Sequence, residues 1–151
     1  MEICTYVKEK VFIMRNNKAK SFVTIMLIIA LCALSLRIII AKLIEINIAQ
    51  NESYASLTLK FISAGLENYA KNSQGIYPTN LSILTQAKPP YLDKDYINLS
   101  PVKGYNFSCF RLESSGYSCA AIPVKCSFTG KTIYTISTGA LLISEECNRK
   151  D

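Results

Sequence analysis

A run of twenty residues with a single charge constrains this chain more than any other feature. Residues 22–41 read FVTIMLIIALCALSLRIIIA, and Arg37 is the charged residue. At a rise of about 1.5 Å per residue, a helix of this length crosses the roughly 30 Å hydrocarbon core of a bilayer. The run therefore predicts a transmembrane helix and makes the membrane bilayer a partner of the chain. Arg37 either extends its side chain to the nearby interface or pairs with a charge on another helix of an assembly.

After the run, the apolar residues recur instead of being continuous. Within residues 42–75 they lie three or four positions apart, which is typical of one face of a helix: Ala55, Leu59, Ile62, Leu66 and Tyr69. Leu57 and Phe61 are predicted to widen this stripe. No proline precedes Pro78, so residues 22–75 are predicted to form one helix that ends near residues 71–75, where Asn, Ser, Gln and Gly favour a cap.

The basic residues are concentrated before the predicted span. Residues 1–21 contain five basic and two acidic residues, a net charge of +3 out of +6 for the whole chain. This is the positive-inside pattern, and it predicts a single-pass protein with a cytoplasmic N-terminus in the inner (cytoplasmic) membrane and a periplasmic or extracellular C-terminal domain. Because the outer part lacks a basic patch with interleaved aromatic residues, no nucleic acid is expected as a partner.

The last third of the chain changes to a period of two, which is typical of β-strands. Alternating residues flank the turn at residues 113–116 and predict a hairpin with a loop of three to five residues, and a second hairpin is predicted across Thr138 and Gly139. Residues 105–151 are therefore predicted to form a small four-stranded antiparallel sheet, after a connecting loop at residues 76–104. The amphipathic helix is the only long stripe available to cover it, which predicts an α+β fold.

Four of the six cysteines lie in the part of the chain that is predicted to be exported: Cys109, Cys119, Cys126 and Cys147. An even set in an oxidising compartment predicts two disulfides, with three possible pairings. Cys109 and Cys119 are equally far from Ser114, so they oppose each other across the first hairpin at about 4.4–6.8 Å between Cα atoms. Cys126 and Cys147 flank the second hairpin. This geometry predicts the pairs Cys109–Cys119 and Cys126–Cys147.

Residues 66–84 carry a resemblance to a known family. They read LENYAKNSQGIYPTNLSIL, and residues 91–95 read YLDKD. This resembles type IV pilin-like proteins, above all the major pseudopilins of type II secretion systems, in which a long helix precedes an N-G-x-Y-P-T-x-L-x-x-L segment and a later Y-L-P-K-D segment enters the sheet. The resemblance covers about residues 18–143 and implies the pilin-like fold, with other pilin-like subunits as partners through the N-terminal helix.

The same resemblance assigns residues 1–21 as a basic leader. In the family, prepilin peptidase cuts after a glycine and before a phenylalanine, which becomes the methylated N-terminus. Cleavage between Ser21 and Phe22 is the corresponding expectation, although serine stands in the glycine's place. Met26 occupies the position of a family glutamate that neutralises a neighbour's N-terminal amine. Both departures favour either a monomeric membrane-anchored module or a minor or atypical subunit.

No catalytic constellation is expected, and the chain is predicted not to be an enzyme. It has no histidine, which removes the commonest general base, and no cysteine pair with zinc-finger spacing. Asp93 and Asp95 are interpreted as solvated loop charges and not as calcium ligands, so no metal and no cofactor are predicted.

Two function classes remain. The first is a structural subunit of a type II secretion or type IV pilus-like assembly, and the alternative is a monomeric membrane-anchored module that binds a ligand with its exported domain. A helix whose apolar stripe continues beyond the membrane favours the first class.

Overall fold

The computed structural model describes the backbone of residues 3–147 and the side chains of residues 22–147. The elements along the chain are α1 Ile3–Asn72, α2 Ser82–Gln86, β1 Tyr105–Glu113, β2 Gly116–Pro123, β3 Thr132–Ser137 and β4 Leu141–Glu146. The chain divides into two compact units, Met1–Leu43 and Ile44–Asp151. The second unit is called the outer unit below.

Within the first unit, the described backbone is helical from Ile3 to Leu43. The predicted boundary between leader and span at Ser21 and Phe22 therefore lies within a helix. The side chains of residues 3–21, including Cys4, lie outside the described part of the chain.

The outer unit has the predicted α+β fold, with α1 packed on a four-stranded antiparallel sheet. The predicted stripe forms the helix side of the core, because Ala55, Leu59, Ile62 and Leu66 are all at most 1 % exposed. They pack against sheet residues that include Tyr105, Phe107, Tyr117, Cys119 and Ile136. The predicted fold class is thereby confirmed.

The predicted widening of the stripe is wrong. Leu57 is 61 % exposed and Phe61 is 49 % exposed. Because successive helical residues are about 100° apart, Leu57 lies some 200° from Leu59, on the opposite side of the helix. Apolar composition alone did not distinguish the covered side from the uncovered one.

The sheet is a meander with the strand order β1-β2-β3-β4. From Tyr105 to Cys109, strand β1 pairs with β2 in the predicted register, and Cys109 opposes Cys119. The pairing shifts at Phe110, so Arg111 opposes Ser118 and only residues 114–115 remain in the turn. The predicted loop of three to five residues is therefore wrong by one β-bulge, which takes one residue out of the ladder.

The connection between helix and sheet packs closely on α1. The helix ends as predicted, with Gln74 and Gly75 at positive φ angles of 58° and 85°. The short helix α2 lies within the predicted connecting loop and contributes the buried Leu84. A Cβ atom on Gly65 would lie 3.1 Å from the Leu92 side chain and from the Tyr91 backbone oxygen, so this glycine permits the close approach of the loop to the helix.

The Y-L-D-K-D segment does not enter the sheet. Residues 91–95 form bends without regular structure, and the buried Leu92 joins the core from this loop. This corrects the expectation that the resemblance gave for the segment.

Candidate functional site: the uncovered apolar helix and its supports

Within the described side chains, the apolar part of α1 is a long uncovered surface. Every side chain from residue 22 to residue 47 is exposed, and large ones such as Leu31 and Ile38 are 65 % and 63 % exposed. Among the described residues, this helix alone is long and apolar enough to cross a membrane. Contiguous apolar surfaces of such extent mark membrane or protein contacts. Its length and composition are evidence for a single-pass anchor, although a signal sequence passes the same test.

The residues that the sequence singled out in this segment lie on the uncovered surface. Phe22 is 65 % exposed and Met26 is 54 % exposed. Arg37 and the free thiol of Cys32 are exposed as well. The side chain of Ser21 lies outside the described part. Phe22 therefore lies on the uncovered surface, and cleavage between Ser21 and Phe22 stays a prediction.

A second feature, which the sequence analysis missed, is a carboxylate that ties α1 to three other segments. Glu67 Oε2 accepts a hydrogen bond from the Tyr77 hydroxyl at 2.9 Å. Glu67 Oε1 accepts bonds from the Tyr117 hydroxyl at 2.9 Å and from the Gly139 N–H at 2.8 Å. The hydroxyl groups of Tyr117 and Ser63 are 2.8 Å apart. One glutamate thus joins the helix to three segments. These are the turn at Tyr77 and Pro78, called the Y-P turn below, strand β2, and the turn between β3 and β4.

The electrostatics of this cluster follow from burial and hydrogen bonding. Partial burial by itself raises the pKa of Glu67, but the bonds from Gly139, Tyr117, Tyr77 and the Ala140 backbone lower it by more, so the pKa lies below its ordinary value. The pKa of Tyr117 is raised to about 12, mainly by burial; the bond with Ser63 opposes the rise, and the bond to the Glu67 carboxylate adds to it. The cluster therefore holds an ionised Glu67 and neutral tyrosines at neutral pH.

The other end of the covered helix has its own junction with the sheet. Asn51 Nδ2 donates to the Thr129 carbonyl at 3.0 Å, and the Lys131 N–H donates to Glu52 Oε1 at 2.7 Å. Glu52 and Glu67 are fifteen residues apart, about 22 Å along the helix axis. Polar contacts at both ends therefore fix the register of α1 on the sheet, with the apolar stripe between them.

The two disulfides join the same cysteine pairs that the hairpin geometry predicted. Cys109 pairs with Cys119, with the Cα atoms 3.9 Å apart, which is closer than the predicted range. Cys126 pairs with Cys147 across a Cα separation of 6.1 Å. The first bridge lies in the β1–β2 ladder, and the second links the loop before β3 to the residue after β4. Both bridges constrain the sheet covalently.

The described side chains contain no cluster of three or more histidine, cysteine, aspartate or glutamate residues that could hold a metal ion. Asp93 Oδ1 accepts a hydrogen bond from the Tyr96 hydroxyl. Asp95 Oδ1 accepts the N–H groups of Ile97 and Asn98, and Oδ2 accepts the Asn98 amide. Both aspartates are engaged in local loop structure, as side chains of these types often are.

Comparisons with protein-family models, with curated proteins and with solved structures found no match. The functional interpretation therefore rests on the residues and on the geometry described above.

Proposed function

We propose that this chain is a membrane-anchored structural subunit of a pilin-like assembly. In this proposal, residues 22–41 lie in the inner membrane with the N-terminus in the cytoplasm, and the outer unit lies in the periplasm or outside the cell. The proposed assembly is of the type II secretion or type IV pilus kind, in which the chain is a minor or atypical subunit. The Y-P segment after the helix and the α+β packing of the outer unit support this assignment.

One observation carries the assembly proposal beyond simple anchoring. In the outer unit, the side of α1 opposite to the core stripe also carries uncovered apolar residues, with the exposed Gln50 between Ile46 and Leu57. Ile46 is 52 % exposed, Leu57 61 % and Phe61 49 %, and Ala64 is exposed too. These residues lie within about 60° of one another around the helix axis. A helix that only connected an anchor to a domain would gain nothing from this second stripe, whereas packing of α1 among other helices would cover it.

The proposal is tested by site-directed cross-linking in membranes. Two copies of the chain with different tags are expressed together, with Cys4 and Cys32 replaced by alanine and one new cysteine at position 57 or 61. We expect cross-links between the two tagged copies, or with a co-expressed pilin-like subunit. The matched control carries its cysteine at Phe110, which is 69 % exposed on strand β1. Cross-linking at position 110 but not at 57 or 61 would contradict packing through α1.

The second candidate is the monomeric membrane-anchored binding module. Met26 and Ser21, which replace the glutamate and glycine of the pilin-like family, favour it over standard assembly. This candidate would be supported if the cross-linking experiment gave monomers alone with the new cysteine at position 57, 61 or 110.

The orientation is tested separately. Protease added to spheroplasts is expected to digest the outer unit and to spare a tag on the N-terminus, because the +3 charge of residues 1–21 holds that end inside. Digestion of the tag with survival of the outer unit would reverse the topology. N-terminal sequencing of the same membrane fraction shows whether the chain begins at Phe22.

A further inference from the structure

The two edge strands of the sheet differ in how their free sides are covered. On the side of β1 that faces away from β2, Tyr105 exchanges two backbone hydrogen bonds with Val102 of the connecting loop. The Phe107 N–H on the same side donates to Ser100 Oγ at 2.7 Å. The bulge at Phe110 then interrupts the strand. The connecting loop and the bulge therefore leave little of this edge open to another strand.

Strand β4 forms the other edge and has none of these features. It pairs with β3 over all six residues, Leu141–Glu146, without a register shift. Its sequence LLISEE contains no proline and no lysine, which are residues that commonly protect an edge strand. Among the described residues, none outside β3 forms a backbone hydrogen bond with this strand. The free side of β4 is called the β4 edge below.

The hydrogen-bond pattern shows which backbone groups of β4 are free. In an antiparallel ladder, pairs of residues that bond each other alternate with pairs that do not. The Cys147 N–H donates to the Lys131 carbonyl, so the odd-numbered residues of β3 and β4 form the bonded pairs. The even-numbered residues of β4 therefore direct their N–H and C=O groups away from β3, toward the β4 edge. These residues are Leu142, Ser144 and Glu146.

The side chains of β4 alternate between the two faces of the sheet. Leu142 packs against the core, on the face that α1 covers. Leu141 and Ile143 lie on the opposite face, where they are 61 % and 50 % exposed. The exposed Glu145 shares their face, and the exposed Glu146 shares that of Leu142. A strand added at the β4 edge would thus cover apolar side chains as well as bind backbone groups.

The charges of the strand indicate which kind of partner it suits. Glu145 and Glu146 form no ion pair with a described basic residue, although Lys131 lines the same small cleft as Glu146. A neighbouring strand with basic residues at this end would gain charge pairs across the ladder. Two β4 strands from two copies of the chain would instead bring together two carboxylates each and no basic residue. The charges therefore favour a basic partner over a second copy.

We propose that the β4 edge binds an extended, basic segment of another protein as a fifth strand, in the antiparallel direction that is the more stable per residue. The segment carries basic residues opposite Glu145 and Glu146. It carries apolar residues opposite Leu141 and Ile143. In strand addition, main-chain hydrogen bonds supply affinity and alternate side chains supply specificity. All these residues belong to the outer unit, so the contact does not depend on the assembly through α1 proposed above.

The test uses a synthetic peptide whose sequence follows from this geometry. When acetyl-KKTVTV-amide runs antiparallel to β4, its lysines oppose the two glutamates and its valines oppose Ile143 and Leu141. Its threonines oppose Ser144 and Leu142, two of the residues with free backbone groups. One control peptide, acetyl-EETVTV-amide, reverses the charge. In the other control the threonine nitrogens of KKTVTV are methylated, which removes the N–H groups that face β4 and keeps the side chains.

Binding is measured by NMR titration of the isotope-labelled full chain in detergent. We expect KKTVTV to shift the amide signals of β4 and to slow hydrogen exchange of the Leu142, Ser144 and Glu146 N–H groups. The charge-reversed peptide should bind about fivefold more weakly. The methylated peptide should bind about tenfold more weakly. Equal binding of the methylated peptide would overturn strand addition, and unchanged β4 signals with KKTVTV would overturn the site.

Two variants test the same contact from the side of the chain. Ser144→Pro removes a free N–H but no bond to β3, and should weaken KKTVTV binding about fivefold. The methylated peptide probes this bond on the wild-type chain, so the test does not depend on the folding of the variant. Glu145→Gln with Glu146→Gln should bring the affinities for KKTVTV and EETVTV together, whereas Glu113→Gln on β1 should leave their ratio unchanged. An unchanged ratio in the double variant would overturn the basic character of the partner.

A second copy at the β4 edge is distinguished in the same experiment. Without peptide, the β4 amide signals should be independent of the concentration of the chain. If they shifted as the concentration rose, and Ser144→Pro abolished that shift, the edge would pair with a second copy. That result would overturn the proposal of a basic partner segment.

Discussion

Residues 22–43 and residues 44–72 of α1 have the same helical backbone but differ in what their side chains contact. In the first region every described side chain is exposed, including leucine and isoleucine residues that are more than half exposed. In the second region a narrow stripe is fully buried against the sheet, and two carboxylates, Glu52 and Glu67, bind backbone groups of the outer unit. The composition of the first region suits an apolar solvent, whereas the second region packs on a specific partner surface.

The difference explains why the two regions have different sequence patterns. A helix in a bilayer satisfies its backbone internally and needs only apolar side chains, so its composition is continuous. A helix on a sheet needs apolar residues on one side and fixed polar contacts at its ends, so its apolar residues are periodic. The uncovered stripe at Leu57 and Phe61 is the exception within the second region, and its exposure is the main reason to propose assembly.

The largest expected effect comes from removing a side chain of the covered stripe. Leu59→Ala should lower the free energy of unfolding of the outer unit by about 2–5 kcal/mol, because Leu59 is 0 % exposed and leaves a cavity. Near-UV circular dichroism of the tyrosines in denaturant measures this, since eight of the nine tyrosines follow residue 43.

Two leucine variants serve as controls in the same detergent. Leu57→Ala, on the uncovered side, and Leu36→Ala, in the apolar run, should each stay within about 0.5 kcal/mol of the wild type. A loss at Leu57 as large as at Leu59 would mean that this side of α1 is covered even in the isolated chain, and the contrast within the second region would disappear.

The second effect concerns the disulfide between Cys126 and Cys147. Replacing both residues by alanine should cost about 3 kcal/mol, because the bridge closes a loop with a sequence separation of 21. The far-UV helical signal of the span should persist when the outer unit unfolds in detergent. Cys32→Ala, at an exposed free thiol, is the control. Peptide mapping without reductant checks the pairs, and a peptide that links Cys119 to Cys126 would contradict them.

The sequence predicted regular features better than features that depend on several segments. The positions of the buried stripe followed from spacings of three and four, and the strand order followed from alternation and turn residues. The bulge at Phe110 was missed, because a single extra residue leaves the alternation before Cys109 unchanged. The exposure of Leu57 and Phe61 was missed because their apolar nature is explained by nothing within the chain itself.

The Glu67 cluster was missed for another reason. Its donors come from the Y-P turn, from β2 and from the β3–β4 turn, which are separated from Glu67 by 10 to 72 residues. No local pattern connects these segments. The available signal was a carboxylate near the end of a helix that faces a tyrosine-rich domain, and that signal is weak.

The third effect is the contribution of this cluster. Glu67→Gln should lower the free energy of unfolding by about 1–2 kcal/mol at neutral pH, because the amide loses the charge and offers one oxygen to three donors at a partly exposed site. Glu113→Gln is the matched control, since Glu113 forms an exposed pair with Arg111. If Glu67→Gln lowered the free energy of unfolding no more than Glu113→Gln does, the Glu67 hydrogen bonds would not contribute to holding α1 on the sheet.

The pH dependence sharpens this last comparison. Although burial of Glu67 acts to raise its pKa, the hydrogen bonds outweigh burial, and the folded-state pKa lies below the ordinary value of a glutamate. A carboxyl group of this kind stabilises the fold fully above its unfolded-state pKa, and the contribution is lost as the pH falls through the lower folded-state pKa. The difference in unfolding free energy between wild type and Glu67→Gln should therefore be constant near neutrality and shrink only below about pH 4.5. Denaturant titrations at a series of pH values measure this difference. If it stayed constant into strong acid, the lost contribution would come from packing at the helix end and not from the ionised carboxylate.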